Sequence, residues 1–148
     1  MSTRINMIAT DAEAYKAMRG LEEYLQTTSL NNIQKELIKI RASQINGCAF
    51  CLDMHTRDAV QYGETPQRIY LLNAWREAAE FYTAEEQVLL AMTEEITLIS
   101  KQGLTEDTYA KAEEIFSGKQ IAEIIMAVIT INAWNRIAIS THLRVPKD

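Results

Sequence analysis

Three side chains capable of bond-making chemistry sit close together: Cys48, Cys51 and His55. On an α-helix each residue advances by about 100°, so positions i, i+3 and i+7 fall within an arc of about 60°. Two thiols and an imidazole then share one helix face. Cys48 opens the segment, where unpaired N–H groups and the helix dipole favour a thiolate. His55 is four residues beyond Cys51 and can exchange a proton with it. The chain has only these two cysteines, too few for a secreted disulfide scaffold or a four-cysteine zinc site. At this spacing they point first to redox chemistry and second to a mixed-ligand metal site.

These residues need a helix to carry them and a neighbour to orient the imidazole. Asn46-Gly47 interrupts one helical pattern just before Cys48. If the chain turns back there, Glu36 and His55 lie roughly 16 and 12 Å below the turn at 1.5 Å per residue. That places the carboxylate beside His55 and at least two helical turns from Cys48. A carboxylate there sets the tautomer of the ring and raises its basicity.

The rest of the chain is helical in pattern, with no convincing alternation for a strand. Thr10 and Glu13 predict a capping box for a helix through Leu25, and a second helix follows Ser29 toward Ile45. The third runs from about Cys48 to Tyr62 and stops at Gly63. Thr65-Pro66 opens another, and Leu72 to Tyr82 is less regular, with Trp75 and Phe81 packed. Thr83 and Glu86 cap a helix ending near Gly103, Thr105 caps one to Phe116, and Ser117 with Gln120 starts the last, reaching about Ser140. About seven helices with short connections predict an all-α bundle in one domain, residues 1–148. A faint echo links Gln44-Ile45-Asn46 with Thr130-Ile131-Asn132, too short to establish a repeat.

Composition narrows the partners. The chain of 148 residues carries a formal charge of -5, which argues against nucleic acid or an anionic membrane surface. The most apolar stretch, Ile124 to Trp134, falls short of the roughly 20 residues that span a bilayer. The first residues, Met-Ser-Thr-Arg-Ile-Asn-Met-Ile, do not read as an export signal, so a cytoplasmic location is expected.

The run Ser43-Gln44-Ile45-Asn46-Gly47-Cys48-Ala49-Phe50-Cys51-Leu52-Asp53-Met54-His55, with Glu36 twelve residues before Cys48, resembles the alkylhydroperoxidase D-like branch of the carboxymuconolactone decarboxylase superfamily. Arg68-Ile69-Tyr70-Leu71-Leu72, Trp75-Arg76-Glu77 and Ile131-Asn132-Ala133-Trp134-Asn135-Arg136 are similar to it as well, so the resemblance covers roughly residues 20 to 140. It implies Cys48, Cys51, His55 and Glu36 as catalytic residues, a redox-active Cys48–Cys51 disulfide, and no other cofactor. The implied substrates are hydroperoxides or a partner disulfide. The implied reductant is an external dithiol of the lipoyl type or a peroxiredoxin partner. Homo-oligomers, trimers or hexamers, with sites near subunit contacts, are implied too. The best-known peroxidases of this branch carry an extra His inside the cysteine pair; Phe50 stands there. The decarboxylase proper lacks the cysteines, so the implied chemistry is that of thiols.

Two other readings compete. Cys48, Cys51, His55 and Glu36 also offer four zinc ligands, and the chain could be a structural oligomer with inert core cysteines. A thioredoxin-like fold is disfavoured because its dithiol follows a strand, whereas Leu30 to Ile45 reads as helix. Between the cysteines, contact with the base favours Cys51 as the attacking thiol, and the mouth of the turn favours Cys48 for exchange with a bulky reductant. His142 reads as surface. Trp75, Trp134, Tyr62 and Tyr70 read as core or subunit-contact aromatics, and Asp53 with Arg57 as an exposed ion pair.

Overall fold

The computed structural model describes residues 4–147. Eight α-helices and two 3-10 turns make up these residues, and no strand occurs among them. The helices are α1 (Met7–Thr10), α2 (Ala12–Gln26), α3 (Asn32–Asn46), α4 (Ala49–Gln61), α5 (Pro66–Leu71), α6 (Ala84–Thr97), α7 (Glu106–Ile115) and α8 (Gly118–Thr141). The irregular stretch after α5 holds the 3-10 turns Leu72–Ala74 and Ala79–Phe81.

Capping residues set most boundaries. Thr83 with Glu86 and Ser117 with Gln120 form complete capping boxes, and Thr65 and Thr105 cap α5 and α7; each such cap contributes about 1 kcal/mol. Three expected ends move. Asp11 caps α2 by accepting the Ala14 N–H, because Thr10 closes the short α1. Asn31 and Gln34 form the box of α3, while Ser29 is engaged by Glu123 from α8. Helix α6 stops at Thr97, and turns carry the chain to Gly103, whose φ is 70°.

The core lies where α3, α6 and α8 meet. Leu37, Ile38 and Ile40 of α3 are sealed against Leu89, Leu90 and Met92 of α6 and Ile124, Val128 and Ile131 of α8. Full burial of each such side chain stabilises by roughly 1.5–3 kcal/mol. By length and composition alone helix α8 is long and apolar enough to cross a membrane, a longer apolar span than Ile124 to Trp134 by itself indicates. In this fold it packs against α2, α3 and α6, with Glu123 and Asn135 as well as its aliphatic residues buried. Tyr62 and Tyr70 are exposed, so neither is a core aromatic within the chain; Trp75 is buried.

Helices α3 and α4 form a tight antiparallel hairpin. Gly47 makes it possible: its φ of 70° is left-handed, a conformation open to glycine at little cost and disfavoured for residues with a Cβ. The turn delivers Cys48 directly to the start of α4.

Candidate active site

Cys48 is the N-cap of α4, and its sulfur accepts the Cys51 N–H at 3.4 Å. The two cysteines are joined as a disulfide, with Cα atoms 5.3 Å apart. His55 lies one turn further along α4 from Cys51. Across the hairpin, Glu36 of α3 takes its Nδ1–H, Oε2 to Nδ1 being 2.8 Å. Both side chains are buried. The hydrogen on Nδ1 follows from the carboxylate being an acceptor only, so the lone pair of the neutral ring is on Nε2.

Burial differs from expectation at one point. Cys48 keeps 1% of its surface and Cys51 2%, so the mouth of the turn gives Cys48 no advantage in access. Both sulfurs belong to the apolar core cluster, because the Gly47 turn folds the start of α4 against its neighbours instead of projecting it.

The surroundings supply charges that sequence reasoning missed. Lys39, one turn along α3 from Glu36, is buried with its Nζ 2.8 Å from Glu22 Oε1 and 3.6 Å from Glu36 Oε1. Burial works to lower the Lys39 pKa, but the Glu36 and Glu22 carboxylates outweigh it and hold the ammonium above its ordinary 10.5. Glu22 also accepts from Trp134 Nε1 at 3.3 Å. The three-residue spacing from Glu36 was the available signal for Lys39; a lysine amid Leu37, Ile38 and Ile40 otherwise reads as solvent-facing.

A second missed network anchors the turn. Fully buried Asn135 of α8 donates to Ser43 Oγ (3.0 Å) and accepts from Asn46 Nδ2 (2.9 Å), which also reaches Asn132 Oδ1 (3.0 Å). The two halves of the faint sequence echo thus touch at Asn46 and Asn132. Asn132 inside the most apolar stretch of α8, and Asn135 directly after it, were the visible signal, since such groups are buried only with partners.

In the competing zinc reading the two cysteines would have to part, since here they are bonded to each other. Among the described residues, ligating atoms of Glu36, His55 and Asp58 come within 4.8 Å of one another, and Lys39 already holds one oxygen of Glu36. An open cleft of about 550 Å³ lies at the other end of the α3–α4 hairpin, lined by Asn32, Ile33, Tyr62, Glu64, Arg68 and Glu86. None of Glu36, Cys48, Cys51 or His55 lines it.

Residues 12–94, which contain this hairpin, match the model of the carboxymuconolactone decarboxylase family. The chain belongs to that family. A relative from Bacillus subtilis, the uncharacterized protein YdfG, is 44% identical over 140 residues, 95% of each chain. A crystal structure from Agrobacterium tumefaciens, of a protein of unknown function named as a candidate antioxidant defence protein AhpD, superposes with a TM-score of 0.95 at 39% identity over 99% of this chain and 100% of that one. The all-α fold of this family member is therefore AhpD-like. The debrominase Bmp8 shares the fold alone, with a TM-score of 0.82 at 16% identity over 94% of this chain and 74% of that one.

Proposed function

We propose that this family member is a dithiol–disulfide oxidoreductase that reduces hydroperoxides, or a partner disulfide, through Cys48 and Cys51. The observation that carries the reading is the disulfide at the first turn of α4 with an imidazole one turn on whose Nδ1 is held by Glu36. An antioxidant role, the description borne by the Agrobacterium relative, fits this chemistry.

In the reduced enzyme, His55 Nε2 takes the proton of Cys51, and Glu36 stabilises the imidazolium. The Cys51 thiolate attacks the distal peroxide oxygen; an S–O bond forms and the O–O bond breaks. The alkoxide leaves as the alcohol, taking the proton from His55. Cys48 then attacks the Cys51 sulfenic acid, the S–S bond forms, and hydroxide leaves as water on gaining the Cys48 proton. An external dithiol of the lipoyl type, or a peroxiredoxin partner, returns the pair to thiols and is itself oxidised. Because both sulfurs are sealed within the chain, this exchange requires the first turn of α4 to open or a neighbouring subunit to present the site. Homo-oligomers and a reducing, cytoplasmic setting belong to the same reading.

The test is peroxide consumption with several dithiol reductants, using Cys48→Ser and Cys51→Ser as controls. Turnover by the wild type that either substitution abolishes supports the proposal. Equal consumption by all three proteins refutes it. A dimedone-type probe assigns the attacking thiol: labelling that survives in Cys51→Ser and vanishes in Cys48→Ser would make Cys48 the attacking residue and Cys51 the resolving one.

A further inference from the structure

A lysine is almost never fully buried unless paired, and Lys39 is buried beside two carboxylates instead of one. Glu22 and Glu36 each divide their oxygens. Glu22 Oε1 faces Lys39 while Oε2 accepts from Trp134. Glu36 Oε1 faces Lys39 while Oε2 accepts from His55. The line of contacts runs from α8 through α2 and α3 to α4, so neither carboxylate can rotate without losing a partner.

We propose that Lys39 is a positioning residue of the His55 site: its ammonium, anchored by Glu22, holds Oε1 of Glu36 so that Oε2 stays on Nδ1 and keeps the imidazole in the tautomer that leaves Nε2 to accept a proton. The inference deepens the proposed function and rests on it for the identity of the proton donor.

The charges around the ring support this. Glu36 touches Nδ1, and Asp58 on the same helix is 4.0 Å away and partly exposed. Lys35, the other buried lysine of α3, reaches the Leu25 carbonyl at 3.5 Å and is committed there. Glu22 faces Lys39 from α2, and α8 contributes the neutral indole of Trp134. Among the described residues, Lys39 is thus the cation in contact with Glu36 apart from His55 itself. Remove it, and Oε1 of the buried carboxylate loses its cation, so nothing holds Oε2 in place against Nδ1. Without Lys39, moving the Cys51 proton to His55 would also leave the thiolate, Glu36 and Glu22 against the imidazolium alone, two uncompensated negative charges instead of one, a costly state in a low-dielectric interior.

Nitrogen-15 NMR of His55 at about pH 7.5 and alkylation of Cys51 in a Cys48→Ser background read these effects without peroxide. The wild-type ring is expected as the Nδ1–H tautomer. In Lys39→Met the share of the Nδ1–H tautomer falls severalfold and alkylation slows by about tenfold as the lost cation disfavours the thiolate, while Lys39→Arg, which keeps the charge, recovers most of the rate. If Lys39→Met does not fold, the Lys39→Met/Glu22→Leu double variant removes the stranded carboxylate and is read the same way. A wild-type Nε2–H tautomer overturns the proposal, as does a folded Lys39→Met protein with unchanged nitrogen shifts and alkylation rate. Failure of the wild type to turn over any peroxide or disulfide would remove the proposed function, yet these readouts would still decide the role of Lys39.

Discussion

Two buried ion clusters flank the α3–α4 hairpin, and they are built to different ends. Around Arg68 the guanidinium reaches Glu86 at 2.8 Å, Glu64 at 3.1 Å and the Phe81 carbonyl at 2.6 Å, and it stacks 4.9 Å from the Tyr82 ring. The same carboxylates accept the Thr65 and Thr83 N–H groups, and Tyr82 donates to the Arg68 carbonyl. These contacts tie α5 to the start of α6. Around His55, by contrast, the carboxylate engages one ring nitrogen, and Cys51 lies one turn back on the same helix. A buried charge is therefore not itself a sign of function. An acid–base group with one valence held and one left open is the better sign.

Perturbing the two clusters should therefore give different phenotypes. The largest expected effect is on activity: His55→Ala should lower peroxide turnover by roughly 10²–10⁴-fold, the contribution of a positioned base, beside a loss of about 1–3 kcal/mol from leaving Glu36 Oε2 without its partner. Retention of full turnover would place the base elsewhere. Arg68→Met should act on stability instead, costing about 3 kcal/mol by stranding Glu64 and Glu86 in denaturant unfolding, while the folded fraction keeps its thiol reactivity.

The Arg68 cluster also predicts a response to alkali. Burial is the main cause that pushes the Tyr82 pKa up from 10.0 to about 12. A group whose pKa is raised on folding contributes stability that is complete below its unfolded value and is lost as the pH climbs through the folded one. Thermal midpoints should fall between about pH 10 and 12 more steeply in the wild type than in Tyr82→Phe; parallel curves would exclude the phenol. Thr83→Ala, which breaks the α6 capping box, should cost about 1 kcal/mol in the same unfolding assay. Asp53→Asn, which breaks the Asp53–Arg57 pair at 3.0 Å, should change stability by no more than about 0.5 kcal/mol.

Much of this was legible from local pattern. Thr83 with Glu86 and Ser117 with Gln120 mark helix starts because a cap is satisfied within one turn, and Thr65-Pro66 does so for the same reason. The ends that moved did so through competition: Asp11 and Asn31 were better placed acceptors than Thr10 and Ser29, and Ser29 was claimed by Glu123 from the distant α8. The juxtaposition of Glu36 and His55 was within reach of the sequence because Gly47 makes the hairpin tight and helix rise is constant. The Lys39–Glu22 and Asn135–Ser43 pairs were not, since their members lie on different helices.

The amino-acid sequence by itself determined the helices, the turn at Asn46-Gly47, and the placing of Cys48, Cys51 and His55 on one face, all consequences of spacing along a single backbone. It also carried the family resemblance in the motif that spans that turn. Only the tertiary structure decided that both sulfurs are sealed, that Lys39 stands between Glu22 and Glu36, and that Asn135 of α8 anchors the turn below Cys48. Helical periodicity specifies which face a residue occupies, but whether that face meets water, a carboxylate or another helix depends on how distant segments pack.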